Sequence, residues 1–371
     1  MKILIDGIAF ALQRVGGVSI HWLQLIPAMA KAAPDAQFFV TLPARMHSVF
    51  RCENVIPLPL RFVVPRRVFE PFDSFRLGRA LKNSHAELFH STYFTSPAKT
   101  RVPRIITVYD TIYETLPQFF PERVGNRIRR RMRQAMASSD AIIAISETTR
   151  QGISAHYHIP LERINVVYPG VSPLFRRIAD SEAIGRFRTR LNLSGDFLLY
   201  VGKREGYKNF ATILSALAQV KARNLLTLLC IGGEKRLSRT RTEHAQRLSP
   251  FAQVRLVRNL KEDDLVLAYN CAAALVYPSL CEGFGLPLIE AMACGTPVIA
   301  SDIPALRESC GDAAMLADPQ NPSAFASAIE QVLCDQTFRK ELICKGLERA
   351  KAFSWERAGR QTLEIYRSLL Q

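Results

Sequence analysis

Apolar residues come in short unbroken runs along this chain, and between the runs they recur at every third or fourth position. The runs at residues 2–5, 38–42, 88–91, 105–109, 141–145 and 164–168 predict buried strands in the first half. Those at 197–201, 227–233, 254–257, 273–277, 297–300 and 314–317 do so in the second. Helical spacing predicts helices at 18–33, 123–136, 263–272, 286–293, 322–334, 336–351 and 355–369. Strands alternating with helices imply an α/β protein with parallel, doubly wound sheets, whose ligands sit beyond the carboxyl ends of the strands. Pro169-Gly170, Pro173 and a charged segment interrupt the pattern before Asp196, and the same architecture then starts again.

Length agrees with this division, because 371 residues exceed one ordinary core and suggest two domains of about 100–200 residues each. With 48% hydrophobic and 22% charged residues, the chain reads as globular and soluble. The eight cysteines include no C-x-x-C pair and lie mostly in apolar runs, which predicts reduced thiols and no zinc site. Residues 1–5 are too short an apolar run for a signal peptide. No stretch reaches the roughly 18 apolar residues that span a bilayer, so a cytoplasmic location is expected.

The net charge of +16 is uneven: residues 1–180 hold 24 Lys and Arg against 13 Asp and Glu, whereas residues 181–371 hold 25 against 20. An anionic partner for the first half follows. Within it, Val124, Ile128, Met132 and Met136 stand at i, i+4 spacing among arginines, a basic amphipathic pattern suited to anionic lipid headgroups or to a helix on the sheet with solvated arginines. Segment 61–79, with four phenylalanines among arginines, either extends that surface or is a loop pinned by core aromatics.

The densest chemistry lies in Ser279 to Ser301, SLCEGFGLPLIEAMACGTPVIAS. A strand ends at Pro278, Gly283 and Gly285 let backbone approach a ligand, and Pro287 falls in the first turn of a helix. Amides at Phe284, Gly285 and Leu286, with the positive end of the helix dipole, make an anion site. Glu282 and Glu290 flank it. Carboxylates repel phosphate and accept hydrogen bonds from neutral hydroxyls, so phosphate between hydroxyls describes a nucleotide sugar. Two glutamates at this spacing are also common as a capping acid and a solvated helix residue. The whole stretch resembles the signature of retaining, nucleotide-sugar-dependent glycosyltransferases of family 4, nearly letter for letter.

That resemblance implies the GT-B fold, two facing Rossmann-like domains with a deep cleft. It implies an acceptor-binding domain at 1–175, a donor-binding domain at 190–352 and a last helix, 354–371, crossing back to the first. Gly202-Lys203-Arg204-Glu205-Gly206-Tyr207-Lys208 resembles the family's phosphate clamp, which assigns Arg204 and Lys208 to the leaving diphosphate and makes Lys203 a substitute for Arg204. Gly16 and Gly17 would approach the donor phosphates. Relatives often show His-Asp where this chain has Tyr109-Asp110, so either Tyr109 or His90, at a neighbouring strand end, is left to contact the reacting sugar. A strand-end histidine is more often a packed core residue.

The reaction implied is transfer of a sugar to an acceptor hydroxyl with retention. Glu282 would orient the sugar, Glu290 would hold the ribose, and no metal or other cofactor is needed, since cations and amides face the diphosphate and no D-x-D is present. The loop at 206–209 looks like those of mannosyltransferases that build bacterial O-antigen or exopolysaccharide, which points to GDP-mannose as donor and a glycan or lipid-linked glycan as acceptor at a membrane surface. The competing classes are a basic nucleic-acid- or membrane-binding protein without catalysis and another GT-B enzyme such as a sucrose or glycogen synthase. No RNA-binding aromatic motif or zinc finger supports specific nucleic-acid binding.

Overall fold

The computed structural model describes residues 1–12, 16–43, 46–60, 71–98, 100–221, 226–234, 236–246, 248, 252–258 and 260–371. Asn259 and residues 61–70 of the aromatic, basic segment therefore lie outside the described residues. The chain forms two compact units, Met1–Gly170 with Ser354–Gln371, and Val171–Phe353.

The first unit is a seven-stranded parallel sheet of β1 (Lys2–Ile5), β2 (Gln37–Leu42), β3 (Val55–Pro59), β4 (Leu88–Ser91), β5 (Arg104–Val108), β6 (Ala141–Ala144) and β7 (Ile164–Val166), ordered β3-β2-β1-β4-β5-β6-β7. The second is a six-stranded parallel sheet of β8 (Phe197–Val201), β9 (Leu226–Ile231), β10 (Ala252–Val257), β11 (Ala274–Tyr277), β12 (Val298–Ser301) and β13 (Met315–Ala317), ordered β10-β9-β8-β11-β12-β13. Each order reverses beside its first strand, as in doubly wound sheets. β3 escaped the sequence pattern because two prolines interrupt Val55-Ile56-Pro57-Leu58-Pro59; it pairs only with β2, at the sheet edge where missing donors are tolerated.

Register decides which side chains share a face. Phe89 stands opposite Arg104 and Ser91 opposite Ile106, so Phe89 and Ile106 point one way while His90 and Thr107 point the other. On the first of these faces, helix Glu122–Ala137 buries Ile128, Met132 and Met136 against Ile106, Val108, Ile142 and Ala144. Each such side chain contributes about 1.5–3 kcal/mol when fully buried. The apolar stripe is thus a packing stripe, and Arg123, Arg127, Arg130 and Arg133 occupy the exposed side.

On the opposite face, helix Trp355–Leu370 packs beside helix Gly17–Ala32. A Cβ on Gly359 would stand 3.1 Å from the Ala28 carbonyl carbon, so glycine permits their close approach. Beneath them lies a buried aromatic group. His21 meets Trp355 edge-on at 5.1 Å, Trp22 meets His90 at 4.8 Å, and the His90 ring nitrogens contact Tyr366 Oη at 2.5 Å and Thr107 Oγ1 at 2.8 Å.

Burial holds the imidazoles of His21 and His90 down to a pKa of about 3, and proximity of the two rings adds to the effect at His90. An unfolded histidine titrates near 6.5, so between about pH 3 and pH 6.5 the unfolded chain binds protons that the folded chain refuses. Each ring therefore lowers stability by about 1.4 kcal/mol per pH unit as pH falls through that window. His90→Gln should lose less stability than the native chain between pH 7 and pH 5 in denaturant melts. Parallel losses would show that His90 does not supply the acid sensitivity.

Candidate donor site at the ends of β8 and β11

β8 and β11 are hydrogen-bonded neighbours, with Leu198 opposite Ala274 and Leu199 opposite Leu275, although more than seventy residues separate them in the chain. Being parallel, they release their following loops at the same sheet edge. Leu280 N–H donates to the Tyr207 carbonyl at 2.8 Å, and Asn209 Nδ2 donates to the carbonyls of Pro278 at 3.1 Å and Pro319 at 2.7 Å. Asn209 has φ 54°, a left-handed conformation that asparagine tolerates. Lys208, between these tethered residues, is carried onto the second loop.

Its Nζ lies 2.6 Å from Glu282 Oε1 and 3.2 Å from Tyr277 Oη, and 5.1 Å from the Tyr207 ring centroid. The pair is largely buried, the side chains of Lys208 and Glu282 being 16% and 11% exposed. Burial, the largest single influence, would lower the Lys208 pKa, but the Glu282 carboxylate together with Tyr207 and Tyr200 outweighs it and the ammonium titrates above its ordinary value. Lys208 is therefore charged at every physiological pH.

Beyond Glu282 the chain turns through Gly283, Phe284 and Gly285 into helix Leu286–Ala293. Gly285 has φ 98°, and a Cβ there would meet Leu306 Cδ2 at 2.7 Å, so both conformation and space require glycine. Phe284 is buried edge-on against Phe353 at 5.1 Å and anchors the turn. The helix presents its positive dipole end and first-turn amides beside Lys208 and Glu282. One turn along, Glu290 Oε2 accepts from the buried Tyr269 hydroxyl at 2.8 Å, and burial, with nearby Glu262 adding to it, pushes the Glu290 carboxyl up to about 7. Lys208, Glu282, Glu290 and Gly283 to Leu286 are thus brought together in one unit.

Arg204 departs from the expected arrangement. It is 1% exposed, and its guanidinium donates to the carbonyls of Gly232 at 2.7 Å and of Glu234, while its backbone N–H donates to Glu234 Oε2 at 3.0 Å. Its fork holds the turn after β9. The neighbouring Lys203 is exposed, and its carbonyl accepts from Tyr200 Oη. Gly202, at φ 132°, donates its N–H to Ile231 O at 2.9 Å, which links the loop to β9.

In the first unit, Tyr109 and His90 lie in the core. The Tyr109 hydroxyl accepts from Trp22 Nε1 and donates to Thr92 O, and both His90 nitrogens are engaged in the core, so neither presents a polar group at the strand ends. Asp110 is half-buried past β5, with Oδ1 accepting from Ile112 N–H at 3.1 Å. Gly16 caps the helix that Gly17 begins, its N–H donating to Ser19 Oγ at 3.0 Å, and the space around a Gly17 Cβ is open. Sequence reasoning passed over Tyr277 and Tyr269. A tyrosine ending a buried strand just before Pro278 was a usable signal for the first, whereas nothing local marks Tyr269 among helix residues.

Residues 182–349 match the family model described as Glycosyl transferases group 1, and residues 15–173 match Glycosyltransferase Family 4. The chain belongs to the GT-B glycosyltransferases of family 4. It is 30% identical over 237 residues to O-antigen chain mannosyltransferase B of Escherichia coli, covering 63% of this chain and 62% of that protein. It is 31% identical over 253 residues to D-inositol 3-phosphate glycosyltransferase of Nocardioides, covering 62% and 54%. The matches thus span about three fifths or less of these curated relatives. Among solved structures, sucrose-phosphate synthase of Thermosynechococcus elongatus aligns with TM-score 0.81 at 23% identity over 99% and 98% of the two chains. Anabaena HepE in complex with UDP-glucose aligns with TM-score 0.75 at 18% identity over 99% and 100%. At these identities the likeness is one of fold.

The raised Glu290 carboxyl carries its own sign. Between about pH 4.5 and pH 7 the folded chain holds a proton that the unfolded chain has released, so this group's contribution to stability declines as pH rises and stays unfavourable above pH 7. Glu290→Gln, free of ligand, should melt higher than the native chain at pH 8 and level with it at pH 4.5. Identical curves at both pH values would place Glu290 in ordinary solvent.

Proposed function

We propose that this family 4 chain is a retaining glycosyltransferase that moves mannose from GDP-mannose to a hydroxyl of a glycan or lipid-linked glycan in cell-surface polysaccharide synthesis. The observation that carries the catalytic assignment is the meeting of Lys208 and Glu282 at the head of helix Leu286–Ala293. Lys208 and the exposed Lys203 neutralise the diphosphate with the helix-head amides, and no metal takes part. Glu282 orients the sugar through its hydroxyls, and Glu290, steadied by Tyr269, accepts from the ribose.

The bond from the anomeric carbon to the phosphate oxygen breaks, a bond to the acceptor oxygen forms on the same face, and the acceptor proton passes to the departing phosphate oxygen. Charge accumulates on the diphosphate as the bond breaks, so Lys208 and the dipole act most strongly in the transition state. GDP-mannose as donor draws support from the mannosyltransferase names of E. coli relatives. A peripheral position on the inner face of the membrane draws support from the four exposed arginines of helix Glu122–Ala137, with Val124 43% exposed among them. Among the described residues no helix is long and apolar enough to cross a membrane.

GDP and GDP-mannose should raise the melting temperature, with UDP and UDP-glucose as the comparison. Glu282→Ala should lower transfer by about 100-fold or more without abolishing nucleotide binding, and Glu290→Ala should weaken nucleotide binding. Stabilisation by DNA alone, with no response to any nucleotide, would overturn the enzymatic assignment.

A further inference from the structure

Resting on the donor-site assignment above, we infer that the ligand-free site is self-quenched: Glu282 holds Lys208 in an ion pair that the donor's diphosphate must open, and opening it frees Glu282 for the sugar. The geometry carries this. The Lys208 ammonium is closed in by Glu282 Oε1 at 2.6 Å, Tyr277 Oη at 3.2 Å and the Tyr207 ring. Arg204, the other cation of the loop interior, is committed to the Gly232 and Glu234 carbonyls. With Lys208 paired, its charge is cancelled where a diphosphate would need it, and the carboxylate beside it repels the anion.

The order of events follows from charge. An arriving diphosphate is a stronger anion than one carboxylate, and it draws Lys208 away while Tyr277 Oη keeps the ammonium solvated in transit. Glu282 then lacks its cation and accepts hydrogen bonds from neutral hydroxyls. A nucleotide without a sugar would leave Glu282 without its cation in a partly buried place, which costs free energy. A sugar nucleotide supplies donors for that carboxylate, so the pair makes the site favour donor over product.

Glu282 therefore opposes nucleoside diphosphate binding although it serves transfer. Calorimetric titration with GDP should show E282Q binding about tenfold tighter than the native chain, the size of one charge-assisted contact released from competition. GDP-mannose should gain less, because its sugar loses an ionised acceptor.

The decisive comparison is a cycle with K208M. In that background Glu282 has no lysine to hold, so E282Q should leave GDP affinity unchanged within about twofold if the latch is the cause. Tightening by E282Q that persists undiminished in K208M would mean simple repulsion, and equal or weaker GDP binding by E282Q than by the native chain would mean that the pair does not compete; either overturns the latch while leaving the donor site standing. Absence of GDP or UDP binding to the native chain would overturn both. Should E282Q fail to fold, E282A carries the same expectations in the same cycle.

Discussion

The electrostatics of the candidate donor site rest on the parallel pairing of β8 with β11. In a parallel sheet every strand delivers its following loop to the same edge, and the order reversal beside β8 leaves no crossover helix between the two loops. Two segments far apart in sequence are thereby forced together. The Leu280 backbone N–H and the Asn209 side-chain amide then tie them, so a largely buried lysine and glutamate meet at contact distance. Without that pairing each would be an ordinary surface charge.

Burial gives the pair its consequences. In solvent such an ion pair contributes little, because water screens it and side-chain entropy opposes it. Here both partners are largely withdrawn from water, and breaking the contact without a substitute for each is costly. The neighbouring groups obey the same logic. Glu290, half-buried against Tyr269, becomes reluctant to ionise, and Arg204 donates to the backbone carbonyls of Gly232 and Glu234.

The two sheets use their strand ends differently. In the second unit they carry charges and a helix head. In the first, the residues at the ends of β4 and β5 turn inward: His90 and Tyr109 join Trp22 and Tyr366 under helix Trp355–Leu370. The last helix thus completes the first unit's core, and the neutral histidines make that core sensitive to acid.

Most of the secondary structure was legible in the order of residues alone. Short apolar runs, helical periodicity, and the glycines and prolines of 283–297 located twelve of the thirteen strands among the described residues and the signature helix, because these depend on local conformation and on the spacing of apolar residues. Tertiary contacts alone separate Arg204 from Lys208. Arg204 and Lys208 look alike in a loop of charged residues, yet one is buried against the turn after β9 and the other crosses to Glu282. Likewise, the chain alone left His90 as either a sugar contact or a packed core residue, and strand register turned it toward the face that helix Trp355–Leu370 covers. Side-chain direction, burial and pairing across a sheet are set by neighbours distant in the chain, and no local pattern encodes them.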